Sequence, residues 1–374
     1  TWRAALAGYP AAVAAADPML SYELAPLSVA GDARYGQRVE LRQKLRLPGT
    51  RELAGAAALT DAEAARADHG VLRLALAEAA VGAFDDLYVA ARAIEVNAHH
   101  RAMVEQIVAS ARAQYSVGRA GQQDVLEAEA ELIALARERL GLDTQQRAAT
   151  ARINRLLRRP PDAPLPPPPD RLDAPAAAPG TAAPAAAGAA SPGDAQDLAA
   201  AAEARVRART AELASAERAA YPDVELMAAY DSMFDDWQHR FTVGIAIELP
   251  IAREARRGAI ARARAAVAAA TAELASVRGV VAEDRDRAGR EVDEAAAALA
   301  LYEQRAVPNA RARVDAARAG FTAGQTALAA VMMAERALRE IELGVERARA
   351  DLDRRAAAMD RLSGRIAGGP RGAR

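Results

Sequence analysis

Two segments alternate apolar and polar residues with a period of two, in a chain whose pattern otherwise predicts helix. In residues 39–48, VELRQKLRLP, the apolar side chains fall on one face and the charged side chains on the other. Residues 241–250, FTVGIAIELP, alternate in the same way and also end in Leu-Pro. Successive side chains of a β-strand point to opposite faces. The pattern therefore predicts two strands, each with one apolar face.

Each of these strands has an alternating neighbour upstream, at residues 18–29 and 222–234. A short polar stretch separates the members of each pair, which is typical of a β-hairpin. The sequence therefore predicts two hairpins. Their four strands are expected at about residues 19–28, 36–48, 222–233 and 240–250.

The remaining pattern predicts long helices. A long helix, a glycine-marked turn and a returning helix follow each hairpin. A further helix at about residues 195–220 precedes the second hairpin, whereas only residues 1–16 precede the first. At 1.5 Å per residue, a helix over residues 1–16 is too short to match the helix at 195–220. We therefore expect the chain to start partway through a helix, with about ten residues missing. The long helices are expected at about residues 51–115, 122–158, 253–320 and 325–366.

The two halves of the chain are similar in sequence. AQYSVG at residues 113–118 matches AGFTAG at residues 319–324, and at the same offset Glu129 falls on Glu335. An ungapped match of this length indicates an internal duplication. A proline-rich stretch separates the halves and favours an extended connector. We therefore expect a first repeat at residues 1–159, a Pro/Ala-rich linker at 160–194 and a second repeat at 195–374.

Composition narrows the class of protein. The chain is 52% hydrophobic, mostly through alanine, and only 4% aromatic, which argues against a large globular core and favours long helices packed in bundles or coiled coils. The net charge of -1 provides no electrostatic footprint for nucleic acid. The chain contains no cysteine, and it contains no uninterrupted run of 18 apolar residues that would predict a transmembrane helix.

The predicted strands have the length of tilted strands that cross a bilayer. A cation that faces lipid near the bilayer midplane costs about 2 to 4 kcal/mol, so the charged face must line a wet lumen. Within residues 39–48, Gln43 is the one polar residue on the otherwise apolar face. The expected lumen-facing residues are Arg38, Glu40, Arg42, Lys44, Arg46 and Glu248. The expected lipid-facing residues are Val39, Leu41, Leu45, Leu47, Val243, Ile245 and Ile247.

Four strands cannot close a barrel, and an open edge in lipid leaves backbone groups unpaired. Several copies of the chain must therefore complete the barrel together. Aromatic side chains at the predicted strand ends suit a girdle at the membrane interface. The fold class is thus mainly α with transmembrane β-strands, built on a duplicated helix-hairpin-long helix-turn-helix unit. The girdle candidates are Tyr22, Tyr35, Tyr230, Phe234 and Trp237.

Several motifs together carry a resemblance to a known family. The duplicated plan, the paired turn motifs YSVGRAGQQDVLEAEAEL and FTAGQTALAAVMMAERAL, the segment YPDVEL before the third strand and the closing RLSG resemble the TolC-like outer-membrane efflux proteins. The likeness covers nearly the whole chain. LPGTREL, after the second strand, is similar to the corresponding segment of the heavy-metal-efflux branch.

The resemblance implies a homotrimer in the bacterial outer membrane, with twelve strands in one barrel and a helical barrel that extends into the periplasm. It implies the passive exit duct of a tripartite efflux pump, with a periplasmic adaptor (membrane fusion) protein and an inner-membrane efflux transporter as partners. The adaptor would dock at the helical turns. The docking positions implied are Tyr115, Gly118, Gly121, Asp124, Phe321, Gly324 and Gln325.

The family often narrows its periplasmic entrance with acidic residues after the second turn, but Ala330 and Met333 occupy the matching positions here. Candidates for a gate therefore include acidic residues of the first repeat and an apolar methionine ring, although methionine at helical spacing is more often packing. The gate candidates are Asp124, Glu127, Met332 and Met333.

No catalytic motif is present, so we expect neither an enzyme nor a cofactor. His99 and His100 diverge on a helix and cannot chelate one ion together, so we expect solvated histidines rather than metal ligands. Two alternatives to an efflux duct stay open: the outer-membrane duct of a type I protein secretion system, and a soluble coiled-coil periplasmic scaffold.

Overall fold

The computed structural model describes most of the chain. The described residues are 2–25, 36–45, 49–118, 121–172, 194–218, 221, 224–232, 234, 240–247 and 253–363. The strands are β1 Met19–Ala25, β2 Gly36–Leu45, β3 Val224–Asp231 and β4 Phe241–Ile247. The helices are α1 Trp2–Ala7, α2 Tyr9–Val13, α3 Thr50–Ser116, α4 Gln122–Leu156, α5 Asp194–Arg218, α6 Arg253–Leu301, α7 Val307–Thr322 and α8 Leu328–Ser363.

The chain folds into two compact units, and each is built from both halves of the sequence. The first unit consists of Thr1–Gly70 and Asp197–Val280, and it contains all four described strands. The second consists of Val71–Gln196 and Val281–Arg374, and it contains both helical turns. The mainly α fold with four strands confirms the predicted fold class.

The strands form a single antiparallel sheet in the order β1-β2-β3-β4. Each predicted hairpin is present, and the two hairpins join because β2 pairs with β3, with Leu41 opposite Ala228. Neither β1 nor β4 has a second neighbouring strand among the described residues. The outermost predicted strand positions, at 26–28, 46–48, 222–223, 233 and 248–250, lie outside the described residues.

Short helices at the start of the chain pack on α3 in the first unit. A side chain at Gly55 would place its Cβ 2.7 Å from Val13 Cγ1, so the glycine allows this close approach. The guanidinium of Arg66 lies 5.8 Å from the centre of the Trp2 ring. Residues 1–16 were expected to form one helix; instead α1 and α2 are separated at Gly8, next to Pro10 in the first turn of α2.

A π-helical turn, Tyr302–Ala306, connects α6 to α7 in the second unit. Pro308 follows it directly and has no backbone N–H to donate to the preceding helical turn. A wider turn accommodates the missing hydrogen bond. Tyr302 packs against α8 at Gly344, where a Cβ would lie 2.7 Å from the tyrosine ring.

Both helical turns share one hydrophobic core in the second unit. The first repeat provides Leu135 of α4, which is fully buried, together with apolar residues of α3. The second repeat provides Phe321 from the end of α7 and Leu328 and Met332 from α8. The other core residues from the first repeat are Val104, Ile107, Val108, Ala111, Val125, Ala128 and Leu132.

The described part of the proline-rich linker lies against α4. The Asn154 side chain is fully buried, and its Nδ2 donates to the carbonyl oxygens of Pro161 (3.1 Å) and Ala163 (2.8 Å). Further along, Arg171 forms an ion pair with Glu303 (3.1 Å) of the π-helical turn. The first part of the linker is thus held by specific contacts, while residues 173–193 lie outside the described residues.

One helical stretch, Arg253–Thr322, is long and apolar enough to cross a membrane by length and composition. The sequence contains no uninterrupted run of 18 apolar residues. This alanine-rich stretch qualifies by its average hydropathy, which tolerates a few charged residues. Charged residues of α6 in this stretch pair with α5: Arg278 lies 2.7 Å from Glu203, and Glu273 lies 3.7 Å from Arg205. These pairs indicate helix-helix packing in this part of the first unit.

Replacing Leu135 by alanine should destabilise the second unit by about 2 to 5 kcal/mol, because it leaves a cavity in the core that both turns share. Leu157, just after α4, is 55% exposed and provides the matched control. Leu157→Ala should change stability by no more than about 0.5 kcal/mol. Thermal unfolding in detergent, followed by circular dichroism, measures both. Equal effects of the two substitutions would contradict the assignment of this core.

Candidate functional site: the sheet faces and the helical turns

The sheet register gives the four strands one continuous apolar face. Directly opposed residues of an antiparallel pair lie on the same face, and Leu20, Leu41, Ala228 and Val243 form one such row across the sheet. In the single chain Val243 is 85% exposed and Ile245 is 66% exposed. All predicted lipid-facing residues lie on this face except Leu47, which is outside the described residues. Its apolar members are Leu20, Tyr22, Leu24, Val39, Leu41, Leu45, Val224, Leu226, Ala228, Tyr230, Phe241, Val243, Ile245 and Ile247.

Gln43 is satisfied despite its place on the apolar face. Its Nε2 donates to the carbonyl oxygen of Ala16, 2.7 Å away, in the extended segment before β1. An amide in apolar surroundings is costly unless it is hydrogen-bonded. The contact therefore explains how a glutamine is accommodated at this position of β2.

The opposite face carries charges of both signs. Glu40 lies at its centre, only 4% exposed, and accepts hydrogen bonds from Arg38 (3.3 Å) and from the Nε of Arg42. The register places Glu225 opposite Lys44. Arg38 is opposite Glu23 on one side and Asp231 on the other. Within the described strands, three cations thus share the face with four carboxylates.

The predicted lumen-facing residues Arg38, Glu40, Arg42 and Lys44 share this charged face. Arg46 and Glu248 lie outside the described residues. The sequence of β2 taken alone predicts a cation-rich strand. Pairing with β1 and β3 balances those cations, so the face is strongly polar without a strong net charge.

Aromatic residues form a row near one edge of the apolar face. Tyr22, Val39, Tyr230 and Phe241 are opposed in register across the four strands. The Tyr230 and Phe241 rings lie 5.1 Å apart, centre to centre. Phe241 was not among the girdle candidates, and Tyr35 and Trp237 lie outside the described residues. An aromatic row at one level of the strands is typical of a membrane-interface girdle.

The first helical turn reverses the chain at a left-handed glycine. Gly118 has φ +70°, and its N–H donates to the Tyr115 carbonyl (3.0 Å). Gly121 then begins α4, and its N–H donates to Oδ2 of Asp124 (3.0 Å), which caps the helix. The Tyr115 side chain is 49% exposed.

The second turn uses the same backbone conformation with different side chains. Gly324 has φ +68°, and its N–H donates to the Phe321 carbonyl (3.0 Å). The backbone N–H of Gln325 donates to the Gly320 carbonyl (2.8 Å), and Thr326 closes the turn. Phe321, unlike its counterpart in the first turn, packs into the shared core. All seven predicted docking positions thus lie at the two turns, where docking itself stays a prediction.

The gate candidates occupy different environments. Met332 is fully buried in the shared core, where it cannot line a water-filled pore. This placement removes Met332 from the candidates, because packing accounts for it. Met333 is 61% exposed and stays a candidate. Asp124 and Glu127 are both half-buried near the first turn, and Asp124 also serves as the helix cap.

The two helices around each turn, α3–α4 in the first repeat and α7–α8 in the second, form a helical hairpin that contains an ion pair. Arg112 pairs with Glu129 (2.6 Å) in the first, and Arg318 pairs with Glu335 in the second. The two pairs occupy equivalent positions in the repeats. Their environments differ, because the Glu129 side chain is 36% exposed whereas that of Glu335 is 3% exposed. The first repeat therefore covers the Glu335 carboxylate of the second repeat, whereas the equivalent Glu129 carboxylate is partly exposed.

The contact between the repeats uses one side of α8. Met332 enters the core of the first repeat, Arg339 pairs with Glu131 (3.2 Å), and Glu346 accepts a hydrogen bond from Tyr88. The positions of α4 equivalent to Met332, Arg339 and Glu346 are all apolar and exposed in the single chain. They are Leu126 (55% exposed), Ile133 (71%) and Leu140 (70%).

His100 corrects an expectation from the sequence. We predicted that both adjacent histidines are solvated, but His100 is only 2% exposed, while His99 is exposed. His100 Nε2 lies 3.1 Å from a carboxylate oxygen of Glu342, and its Nδ1 lies 3.6 Å from one of Glu335. A carboxylate-rich neighbourhood on another helix could not be read from the pattern of α3 alone. Among the described residues, no group of three or more His, Asp or Glu side chains could hold a metal ion.

The fold matches solved bacterial outer-membrane channels. The outer-membrane channel OprN matches with a TM-score of 0.79 at 20% identity, over 97% of this chain and 85% of that one. VceC from Vibrio cholerae matches with a TM-score of 0.79 at 17% identity, over 97% and 90%. The open state of the MtrE channel of Neisseria gonorrhoeae matches with a TM-score of 0.74 at 16% identity, over 97% and 83%. No curated protein matches the chain in sequence.

The chain therefore has the fold of solved outer-membrane channels. In sequence, residues 194–365 match the model of the outer membrane efflux protein family. This match covers the second repeat, and the shared fold extends over nearly the whole chain. The family and the matched channels are described as outer-membrane proteins.

Arginine at Val243, on the apolar face, should reduce insertion into the outer membrane, because a lipid-facing cation near midplane costs about 2 to 4 kcal/mol. Its neighbour Thr242 lies on the charged face and provides the control. Thr242→Arg should insert nearly as well as the unmodified chain. The yield of each variant in the outer-membrane fraction measures insertion. A reversed order of the two variants would contradict the assignment of the faces.

Proposed function

We propose that the chain is one subunit of a trimeric channel that serves as the passive exit duct of a tripartite efflux pump. The observation that carries the proposal is an open four-stranded sheet with one exposed apolar face and one charged face. In lipid, the outer edges of β1 and β4 need partners for their backbone N–H and C=O groups. Other copies of the chain can supply them.

Strand direction supports closure between copies. Because the four strands alternate in direction, β4 of one copy can pair antiparallel with β1 of the next. Bacterial barrels contain an even number of strands and at least about eight. Three copies give twelve strands, the number implied by the family resemblance. In such a barrel the charged face lines the lumen and the apolar face contacts lipid.

The helical unit supports the same assembly. Within one chain, the Met332 side of α8 packs on the first repeat. The equivalent side of α4, with Leu126, Ile133 and Leu140, is open. Its seven-residue spacing is that of a coiled-coil seam. If the contact between repeats continues from copy to copy, the open side of α4 receives the second repeat of a neighbour, and the ring closes.

A duct of this kind exports cargo without chemistry of its own. A periplasmic adaptor would dock at the two turns, through Tyr115, Gly118 and Asp124 in the first and Phe321, Gly324 and Gln325 in the second. An inner-membrane transporter would drive export. A type I secretion duct would use the same architecture. Co-purification with the adaptor and the transporter encoded beside it distinguishes the two systems.

Native mass measurement in detergent tests the assembly. The unmodified protein should run as three chains. Ile133→Asp should shift it towards smaller species, because it places a carboxylate in the apolar seam of α4. Glu340→Ala, at an exposed position on α8, provides the control and should leave the mass unchanged. A stable monomer of the unmodified protein in aqueous buffer would overturn the channel proposal and favour a soluble scaffold.

Single-channel recording in planar bilayers tests the acidic gate candidates. The double variant Asp124→Asn, Glu127→Gln removes two charges, while the amide oxygen that replaces the Asp124 carboxylate can still accept the capping hydrogen bond from Gly121. We expect a lower preference for cations over anions, because the ring of charge at the turns is lost. Glu129→Gln, whose charge is paired with Arg112, should have a smaller effect. Unchanged selectivity in the double variant would exclude both residues as gate residues.

A further inference from the structure

His100 joins the first repeat to the second turn hairpin through two carboxylates. It projects from α3, and both carboxylates belong to α8: Glu342 at 3.1 Å from Nε2, and Glu335 at 3.6 Å from Nδ1. The imidazole and the Glu335 side chain are each about 3% exposed. Both ring nitrogens thus face acceptors in a place that is closed to solvent.

This geometry favours the protonated imidazole, because each ring nitrogen faces a carboxylate oxygen. A neutral histidine has one N–H and can donate to one carboxylate, whereas a protonated histidine donates to both. The Glu335 Oε2, the oxygen nearest Nδ1, is buried and has no hydrogen-bond partner. An unsatisfied buried carboxylate oxygen is costly. Protonation of the ring places an N–H opposite that oxygen.

We propose that protonated His100 is a pH-sensitive bridge that holds the second turn hairpin, α7–α8, against the first repeat, and that the hairpin loosens when His100 loses its proton. The bridge is defined as His100, Glu335 and Glu342. The proposal concerns the coupling of the two hairpins and does not depend on the channel function.

Charged residues of the neighbouring helices surround the bridge. On α7, Arg311 lies 3.4 Å from Glu342, and Arg318 pairs with Glu335. These arginines balance the carboxylates at all pH values of interest, so they keep both acids ionised when the imidazole is neutral. On α3 itself the neighbour is His99, whose ring is exposed and meets His100 edge-on.

The acids of α4 are engaged elsewhere. Glu131 pairs with Arg336 (2.6 Å) and Arg339 (3.2 Å) of α8, and Glu138 lies 3.7 Å from Arg339. These pairs also join the repeats, and they contain no histidine. Among the described contacts between the repeats, His100 is therefore the group that can make the coupling depend on pH between about 6 and 8.

The direction of the pH dependence follows from the pKa shifts. Burial disfavours charge on His100, but the nearby Glu335 carboxylate and the hydrogen-bonded Glu342 carboxylate outweigh burial and raise its pKa. Because the pKa of His100 is higher in the folded state, its protonation stabilises that state. This stabilisation is fully present below the pKa of about 6.5 in the unfolded state, and it is lost as pH rises through the pKa in the folded state.

The carboxylates set the lower limit of the window. Burial opposes ionisation of Glu335, but the nearby His100 ring and the charge and hydrogen bond of Arg318 lower its pKa. The hydrogen bond from His100 lowers the pKa of Glu342 despite its burial. Their contribution is present above the unfolded value and is lost only as pH falls through the lowered pKa values. The bridge is therefore strongest under mildly acidic conditions.

Backbone hydrogen exchange of α7 and α8 in the detergent-solubilised protein tests the bridge. Protection is compared at about pH 5.5 and about pH 8.5, after correction for the intrinsic pH dependence of exchange. Protection of the unmodified hairpin should fall about tenfold at the higher pH for each unit by which folding raises the His100 pKa. His100→Gln should show low protection at both pH values. His99→Gln, the exposed neighbour, should behave like the unmodified chain.

Two results would overturn the proposal: protection of the unmodified hairpin that does not change between the two pH values, or a pH dependence that survives in His100→Gln. If His100→Gln does not fold, Glu342→Gln provides the second test, because it removes the carboxylate at 3.1 Å and keeps the imidazole. A reduced pH dependence in Glu342→Gln supports the bridge, and an unchanged one contradicts it.

Discussion

Backbone hydrogen bonding in lipid is the constraint on which the rest of this protein depends. A sheet with an exposed apolar face is suited to a bilayer, but its two open edges are not, because lipid offers no partner for N–H and C=O groups. Four strands cannot remove their own edges. In the proposed channel, the alternating strand directions let other copies of the chain pair with both edges, and the exposed seam on α4 provides a second contact between copies.

The duplication provides two copies of one structural unit, and the differences between the copies carry the specific features of the protein. Arg112–Glu129 and Arg318–Glu335 occupy equivalent positions in the two repeats, yet the Glu129 side chain is 36% exposed and that of Glu335 is 3% exposed. Leu126 is exposed whereas its counterpart Met332 is buried. These differences arise because the second repeat packs on the first within the chain, while the matching side of the first repeat has no partner there.

Residue patterns indicated the faces of the strands well, because alternation is a local property of the backbone. The same patterns were least informative where a residue depends on a distant segment. Gln43 stood out as a polar residue on an apolar face, and only the carbonyl oxygen of Ala16 explains it. His100 was expected in solvent, since nothing on α3 shows that two carboxylates of α8 approach it. Met332 was a gate candidate until the shared core placed it among packing residues.

From its sequence alone, the chain determines its element types, the two hairpins, the glycine-based turns and the internal repeat, since periodicity and turn chemistry act over a few residues. The resemblance to TolC-like channels follows from those local features. Only the tertiary structure decides that β2 pairs with β3 and that cations of β2 meet carboxylates of β1 and β3. It also decides that the Met332 side of α8 is buried, whereas the equivalent side of α4 is exposed. These outcomes depend on register and on contacts between residues far apart in the chain, which no local pattern encodes.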